Sequence, residues 1–363
     1  MSAMNELDTV TRLADFEPLA RQRMQPAEFD YVAGGADDEL TLAENEAAFS
    51  RLRLSPRVLV DVSKVDPRAT LLGQATALPV GIAPVAFQHF AHPQAEAATA
   101  RAAARAGAVF CLSTMSSRSL EEVAAAADEA GGGRRWFQLY VHRDRARSEE
   151  LVRRAAQAGY EALVVTVDFP VAGNRERDLR NRLPYPSAFG NFDLPVAADG
   201  VLAPVIGGFI DASLSWADLA WLRGLADMPL VVKGIMTAED ALLAAAHGAA
   251  AIVVSNHGGR QLDRLPATIE VLPAIVSALD GRAEVYLDGG IRRGTDVAVA
   301  LALGARAVFV GRPMVYALAA GGEAGVARAI ALIDSELRRA MALLGVVSID
   351  DLDRRHLRDT PAL

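Results

Sequence analysis

The feature that most constrains this chain is a repeat. Eight short apolar runs occur from residue 80 onward, and each is followed by a polar or glycine-bearing break, most of them then by an Ala-rich stretch with helical spacing. The runs are Val80–Pro84, Ala108–Ser113, Trp136–Tyr140, Ala162–Val167, Pro229–Lys233, Ala251–Ser255, Glu284–Asp288 and Ala307–Gly311. They are continuous rather than alternating, which predicts strands covered on both faces, with the intervening Ala/Leu/Arg segments as crossover helices. Eight such units predict an α/β fold of the (β/α)₈ TIM-barrel type. A doubly wound sheet usually has fewer strands and a Gly-rich turn after the first, and no G-x-G-x-x-G follows Pro84. At 363 residues and 52% hydrophobic, the chain has enough apolar mass for one large barrel domain over 1–363.

Two regions exceed the repeat. Residues 1–75 are expected to form a helical lead-in. Residues 171–228, about twice the usual spacing and rich in Pro, Gly and Ala, form a long excursion after the fourth strand, on the face where barrels keep their chemistry. A lid is the expectation there. No run in it is long and apolar enough to span a bilayer, so no membrane role is expected.

Charge and cysteine content narrow the function. A net charge of -8 argues against a nucleic-acid surface, and a small anionic substrate would need local positive charge instead. Cys111 is the single cysteine, which rules out an intramolecular disulfide and suits a reducing compartment. The N-terminal stretch MSAMNELDTVTRLADFEP has acidic residues and no apolar core of the kind a secretory signal needs, so a cytoplasmic location is expected.

The C-terminal ends of barrel strands point into the mouth, and here those positions are chemically loaded. They carry Ser113, Gln138 with Tyr140, Thr166 with Asp168, Lys233, Ser255 with His257, Asp288, and Gly311 with Arg312. Asp288-Gly-Gly-Ile-Arg-Arg-Gly294 and Gly311-Arg-Pro313 place glycines and arginines after the last two strands, where backbone N–H groups commonly cradle a phosphate. Lys233 is notable because only it and Lys64 are lysines among 37 basic residues. A lysine ending a buried strand needs an anion or a chemical use: Schiff-base formation, or a fixed charge beside a cofactor that becomes anionic. The phosphate cradle tilts this toward a phosphorylated cofactor such as FMN. His257, two residues past the sixth run and followed by Gly258 and Gly259, is placed as a base, with Asp168 as its candidate carboxylate partner and Arg260 near enough to hold a substrate carboxylate. An arginine of Gly173-Asn-Arg-Glu-Arg-Asp178 is a second candidate for that carboxylate. His89, His92, His142, His247 and His356 are assigned structural roles, and no metal site is expected.

These residues coincide with a known pattern. SNHGGRQLD (255–263), FDYVAGGADDE (29–39), APVAFQHFAHPQAE (83–96), WFQLY (136–140), TVDFP (166–170), VVKGI (231–235), LDGGIRRGTD (287–296) and GRP (311–313) occur in order. Over about residues 29–344 the chain resembles the FMN-dependent (S)-2-hydroxy acid oxidases and dehydrogenases, whose members oxidise glycolate, lactate or mandelate. The resemblance implies His257 as catalytic base, oriented by Asp168. It implies Arg260 and Arg175 as the clamp on the substrate carboxylate, with Tyr31 and Tyr140 assisting, and Lys233 at the flavin's pyrimidine edge. Pro84, Val85, Ala86, Ser113, Gln138, Thr166 and Ser255 would line the flavin ring and ribityl chain, and Asp288, Gly289, Gly290, Arg292, Gly311 and Arg312 would hold ribityl and phosphate. The reaction so implied converts an (S)-2-hydroxy acid to the 2-oxo acid, and Ala86 is similar to the oxidases, which pass electrons to oxygen. Met115 stands where plant glycolate oxidases have tryptophan and Ala172 where they have leucine; both changes predict a roomier substrate pocket and an acid larger than glycolate, such as lactate, a longer aliphatic acid or mandelate. The alternatives are a dehydrogenase using another acceptor and an FMN-dependent isomerase on the same barrel. By analogy with the family, a homo-oligomer, often a tetramer, is expected.

Overall fold

The computed structural model describes residues 6–183, 189–192 and 208–358. All eight apolar runs are strands: β1 (Val80–Ile82), β2 (Phe110–Ser113), β3 (Arg135–Leu139), β4 (Leu163–Thr166), β5 (Leu230–Ile235), β6 (Ala251–Val254), β7 (Glu284–Asp288) and β8 (Ala307–Val310). They pair in chain order, all parallel, and β8 closes on β1 to make a barrel. Nearly every strand residue is buried, as continuous apolar runs require. At the barrel floor the rings of Trp136, Tyr286 and Phe309 pack with centroids 5.3–5.8 Å apart. Gly81 on β1 makes room for this, since a Cβ there would lie 2.4 Å from the Phe309 ring. The barrel is a filled core, and only its C-terminal mouth is open to chemistry.

The lead-in is helical only in part. It contains α1 (Phe16–Arg23), α2 (Pro26–Ala33) and α3 (Leu40–Arg51). Beyond Arg51 the chain turns extended: Arg53–Leu54 pairs antiparallel with Leu357–Arg358, and Ala69–Leu71 forms a hairpin with Gln74–Thr76. The reason lies in 55–68, where Pro56, Pro67 and four valines leave little that favours a helix. Among its described residues the expected lid region holds the short helices α7 (Glu176–Asn181) and α8 (Asp218–Arg223), counting α4 (Ala95–Ala106), α5 (Leu120–Glu129) and α6 (Arg145–Gln157) between the earlier strands. Residues 184–188 and 193–207 of that expectation lie outside the described residues. Helices α9 (Ala238–Ala246), α10 (Thr268–Leu279), α11 (Gly294–Ala302) and α12 (Arg312–Leu344) complete the outer layer. By length and composition α12 is apolar enough to cross a membrane, but its apolar window is 61% buried and it packs on α1, α4 and α11.

Helix α3 ties the lead-in to the mouth. It has no side-chain cap of its own; the carboxylate of Asp263, from the loop after β6, accepts the N–H groups of Leu40 (3.2 Å) and Thr41 (2.7 Å). One turn on, the buried amides of Asn45 and Asn256 exchange reciprocal hydrogen bonds of 2.9 and 2.8 Å. The β7 loop is equally close, because a Cβ on Gly290 would lie 1.9 Å from the carbonyl oxygen of Asn45. Replacing Asp263 with Ala therefore strands two donors at the start of α3, and urea unfolding should show a loss of about 1–2 kcal/mol. An unchanged midpoint would show that α3 is held by its packing alone.

Candidate active site

The loop after β6 begins with Ser255, whose hydroxyl accepts both the Lys233 ammonium (2.8 Å) and the His257 backbone N–H (3.1 Å). His257 itself sits in the left-handed region at φ 59°, followed by Gly258 and Gly259, also at positive φ. A non-glycine residue there is strained, and the strain is held by Ser255 and by Asn256, whose side-chain oxygen also accepts Gly259 N–H at 3.2 Å. The result aims the imidazole into the mouth. Its Nδ1 lies 2.7 Å from Asp168 Oδ1 at the end of β4, and its Nε2 lies 3.3 Å from the Tyr140 hydroxyl beyond β3.

Burial disfavours the imidazolium, and Lys233 and Arg175 add to that; Asp168 opposes them, and the net effect holds His257 below its ordinary pKa. Asp168 is pushed up by burial but pulled further down by His257 and Lys233, so it is a carboxylate at neutral pH. Burial also opposes the charge of Lys233, yet Asp288 (3.4 Å) and Asp168 (4.0 Å) more than offset it and raise its pKa. The site at neutral pH thus holds a neutral imidazole, an ammonium and an aspartate within one hydrogen-bonded cluster.

Two guanidinium groups face this imidazole. Arg260 donates through one nitrogen to Tyr31 O (2.6 Å) and Gly34 O (2.9 Å), leaving its remaining donors for an anion, and its Cζ lies 4.9 Å from the Tyr31 ring centre. Arg175 donates to Arg260 O (3.2 Å) and Gln261 Oε1 (3.3 Å). Burial and the neighbouring Arg260 depress Arg175 to about 10, with Tyr31, Asp178 and Tyr140 opposing the shift in part. A carboxylate placed between the two guanidinium groups would be held by charge-assisted hydrogen bonds.

One cavity of about 1070 Å³, its open mouth included, brings these groups together. Tyr31, Pro84, Val85, Ala86, Ser113, Met115, Tyr140, Thr166, Arg175, Lys233, His257, Arg260, Asp288, Gly289, Gly290, Arg292, Gly311 and Arg312 all line it. Asp168, Gln138 and Ser255 stand just behind the wall: the first two hold His257 and accept Thr114 N–H (3.2 Å) respectively, and Ser255 holds Lys233. Arg312 spends three donors on backbone, to Val32 O (2.9 Å), Gly258 O (2.9 Å) and Gly34 O (2.7 Å), so it braces the histidine loop as well as facing the cavity. Arg292 is partly engaged by Glu46 (2.5 Å). Ala172 is a correction: it is exposed and lies outside the lining, because the segment after Pro170 turns toward solvent before Arg175 returns to the mouth. Sequence reasoning passed over Phe87, Phe169 and Ile291, which also line the cavity. The signal for Phe169 was its place directly after Asp168.

The residues present fit a flavin mononucleotide. Pro84–Ala86 offer a flat apolar wall, and Gly289 (φ 94°) and Gly290 (φ 81°) bare backbone N–H groups beside Arg292. Gln138 Nε2, Thr166 Oγ1 and Asp288 Oδ1 are buried with no hydrogen-bond partner, which a buried polar atom rarely tolerates unless a ligand completes it.

The sequence pattern described as FMN-dependent dehydrogenase matches residues 20–359. Glycolate oxidase 1 of Zea mays is 48% identical over 356 residues, 96% of this chain and 95% of that one. An L-lactate oxidase of Nostoc sp. is 47% identical over 363 residues, covering 98% and 100%. A crystal structure of mandelate oxidase with (S)-4-hydroxymandelic acid superposes with a TM-score of 0.91 at 44% identity, covering 96% of this chain and 98% of that one. A match over nearly the whole chain and relatives at 44–48% identity on the same closed barrel place this chain in the FMN-dependent dehydrogenase family.

Proposed function

We propose that this protein oxidises an (S)-2-hydroxy acid larger than glycolate to its 2-oxo acid, with oxygen as the final acceptor and hydrogen peroxide as the second product. The observation that carries the reading is the imidazole of His257, fixed by Asp168 at 2.7 Å and facing two arginines across one cavity. The clamp of Arg175 and Arg260 binds the carboxylate and so sets the α-carbon near Nε2. His257 then takes a proton from the substrate, and the anionic Asp168 stabilises the imidazolium that forms. The Tyr140 hydroxyl, 3.3 Å from Nε2, is placed to hydrogen-bond the oxygen on the substrate's α-carbon. When bound, FMN supplies the two-electron acceptor. Two electrons and two protons leave the substrate, and oxygen takes up the same number to become peroxide. Around His257 the walls are Met115, Phe87, Phe169 and Tyr140, a lining that suits an apolar side chain better than the bare hydrogen of glycolate. A cytoplasmic homo-oligomer belongs to the same reading, checked by cell fractionation and light scattering.

The decisive experiment is anaerobic addition of glycolate, lactate, 2-hydroxyoctanoate and mandelate to the yellow protein, followed by air. Bleaching by the larger (S)-acids and recovery in air with release of peroxide are expected. A clear preference for glycolate overturns the size assignment, and a bleached flavin that air leaves unchanged overturns oxygen as acceptor. His257→Gln should slow bleaching by roughly 10²–10⁴-fold. Because the base must be neutral, bleaching should fall as pH drops through a limb lying below the ordinary imidazole range. Met115→Trp should cut kcat/KM for mandelate relative to glycolate by at least roughly tenfold, since it fills the side-chain end of the cavity.

A further inference from the structure

Phe169 is 5% exposed and touches three working groups at once. Its ring centre lies 5.2 Å from that of Tyr140 and 5.8 Å from the His257 imidazole, and the Arg175 guanidinium carbon sits 5.6 Å over it. Behind it lies a second cavity of about 1000 Å³, open mouth included, beyond the ends of β4 and β5. That cavity is lined by apolar groups such as Val141, Val167, Ile210 and Trp216 together with the polar Thr166, Asp211, Ser215 and Asp240. Among the described residues, the two cavities share only Thr166 and Phe169. Thr166 is small, so the phenyl ring supplies the bulk of the partition.

We propose that Phe169 is a positioning residue whose ring seals the catalytic cavity from the second one and keeps water away from the far side of the His257 imidazole. The proposal rests on His257 acting as the base. Its physical content is solvation: a dry imidazole resists protonation, and a wet one accepts it more readily. The ionisable groups facing His257 are Asp168 from β4, Lys233 from β5, Tyr140 beyond β3, Arg175 from the segment after β4, and Arg260 and Tyr31 across the cavity. None of these is removed by shortening Phe169. Opening the partition therefore changes the water around His257 and leaves its charged neighbours in place, which shifts its protonation toward higher pH.

The test uses the full-length, FMN-loaded protein with Phe169→Ala and Phe169→Leu, and Phe169→Val as the variant to use if the alanine protein fails to fold. Two readings are taken. The first is the NMR titration of ring-labelled histidine without substrate: the alanine protein should titrate His257 at higher pH than the wild type, and the leucine protein should return it close to wild type. The second is the pH profile of anaerobic flavin bleaching by an (S)-2-hydroxy acid: whatever its plateau rate, the alanine protein should have its acidic limb moved to higher pH in step with the histidine titration, so that on that limb it loses roughly a further tenfold. A uniform loss at every pH, or an unmoved His257 titration, overturns the proposal by showing that Phe169 only packs. If no 2-hydroxy acid bleaches the wild type, the proposed function falls, and the histidine titration still decides the partition on its own.

Discussion

The structure depends on a charge balance buried at one end of the barrel. Lys233 lies near the end of β5 at 5% exposure, and an ammonium so placed is sustained by the carboxylates of Asp288 at 3.4 Å and Asp168 at 4.0 Å and by the Ser255 hydroxyl at 2.8 Å. Removing one member of a buried pair typically costs about 3–5 kcal/mol, because the survivor is left charged in a poor solvent. The same Asp168 also holds His257, so the aspartate that offsets the lysine is the one that fixes the base. Barrel strands from four positions around the ring are thereby linked through their end residues into one cluster. Its geometry is inherited from strand register, which sets Thr166 of β4 opposite Lys233 of β5.

The mouth is completed from outside the barrel. Helices α2 and α3 lie over the histidine loop, which they hold through Asp263, through the Asn45–Asn256 amide pair, and through Arg260 and Arg312 reaching the carbonyls of Tyr31, Val32 and Gly34. These ties explain how His257 persists in a left-handed backbone conformation that costs on the order of 1–3 kcal/mol. The lead-in is thus part of the site: it braces the one residue whose orientation the chemistry needs.

Much of this was legible in the sequence. The eight runs announced the strands because a strand buried on both faces has to be apolar throughout, and the polar residues closing those runs announced the mouth. Asp168, His257, Lys233, Arg175 and Arg260 could be nominated because strand ends in a closed barrel converge whatever their separation in the chain. Other features were hidden for physical reasons. Ala172 lies three residues from Arg175, yet one faces solvent and the other the cavity, since loop direction is set by tertiary contacts that a local pattern does not encode. Phe169 reads in sequence as one more apolar residue, and only the cavities on its two sides reveal it as a wall. The extended stretch after Arg51 was missed because its pairing partner, Leu357–Arg358, is some 300 residues away.

The most direct test of the central claim is a crystal structure of the FMN-loaded protein with a 2-oxo acid product in the cavity. The account predicts its carboxylate shared between Arg175 and Arg260, and its keto oxygen within hydrogen-bonding distance of His257 Nε2, with Nδ1 still on Asp168. An imidazole turned away from the ligand, or a carboxylate bound elsewhere than on the two arginines, would contradict it.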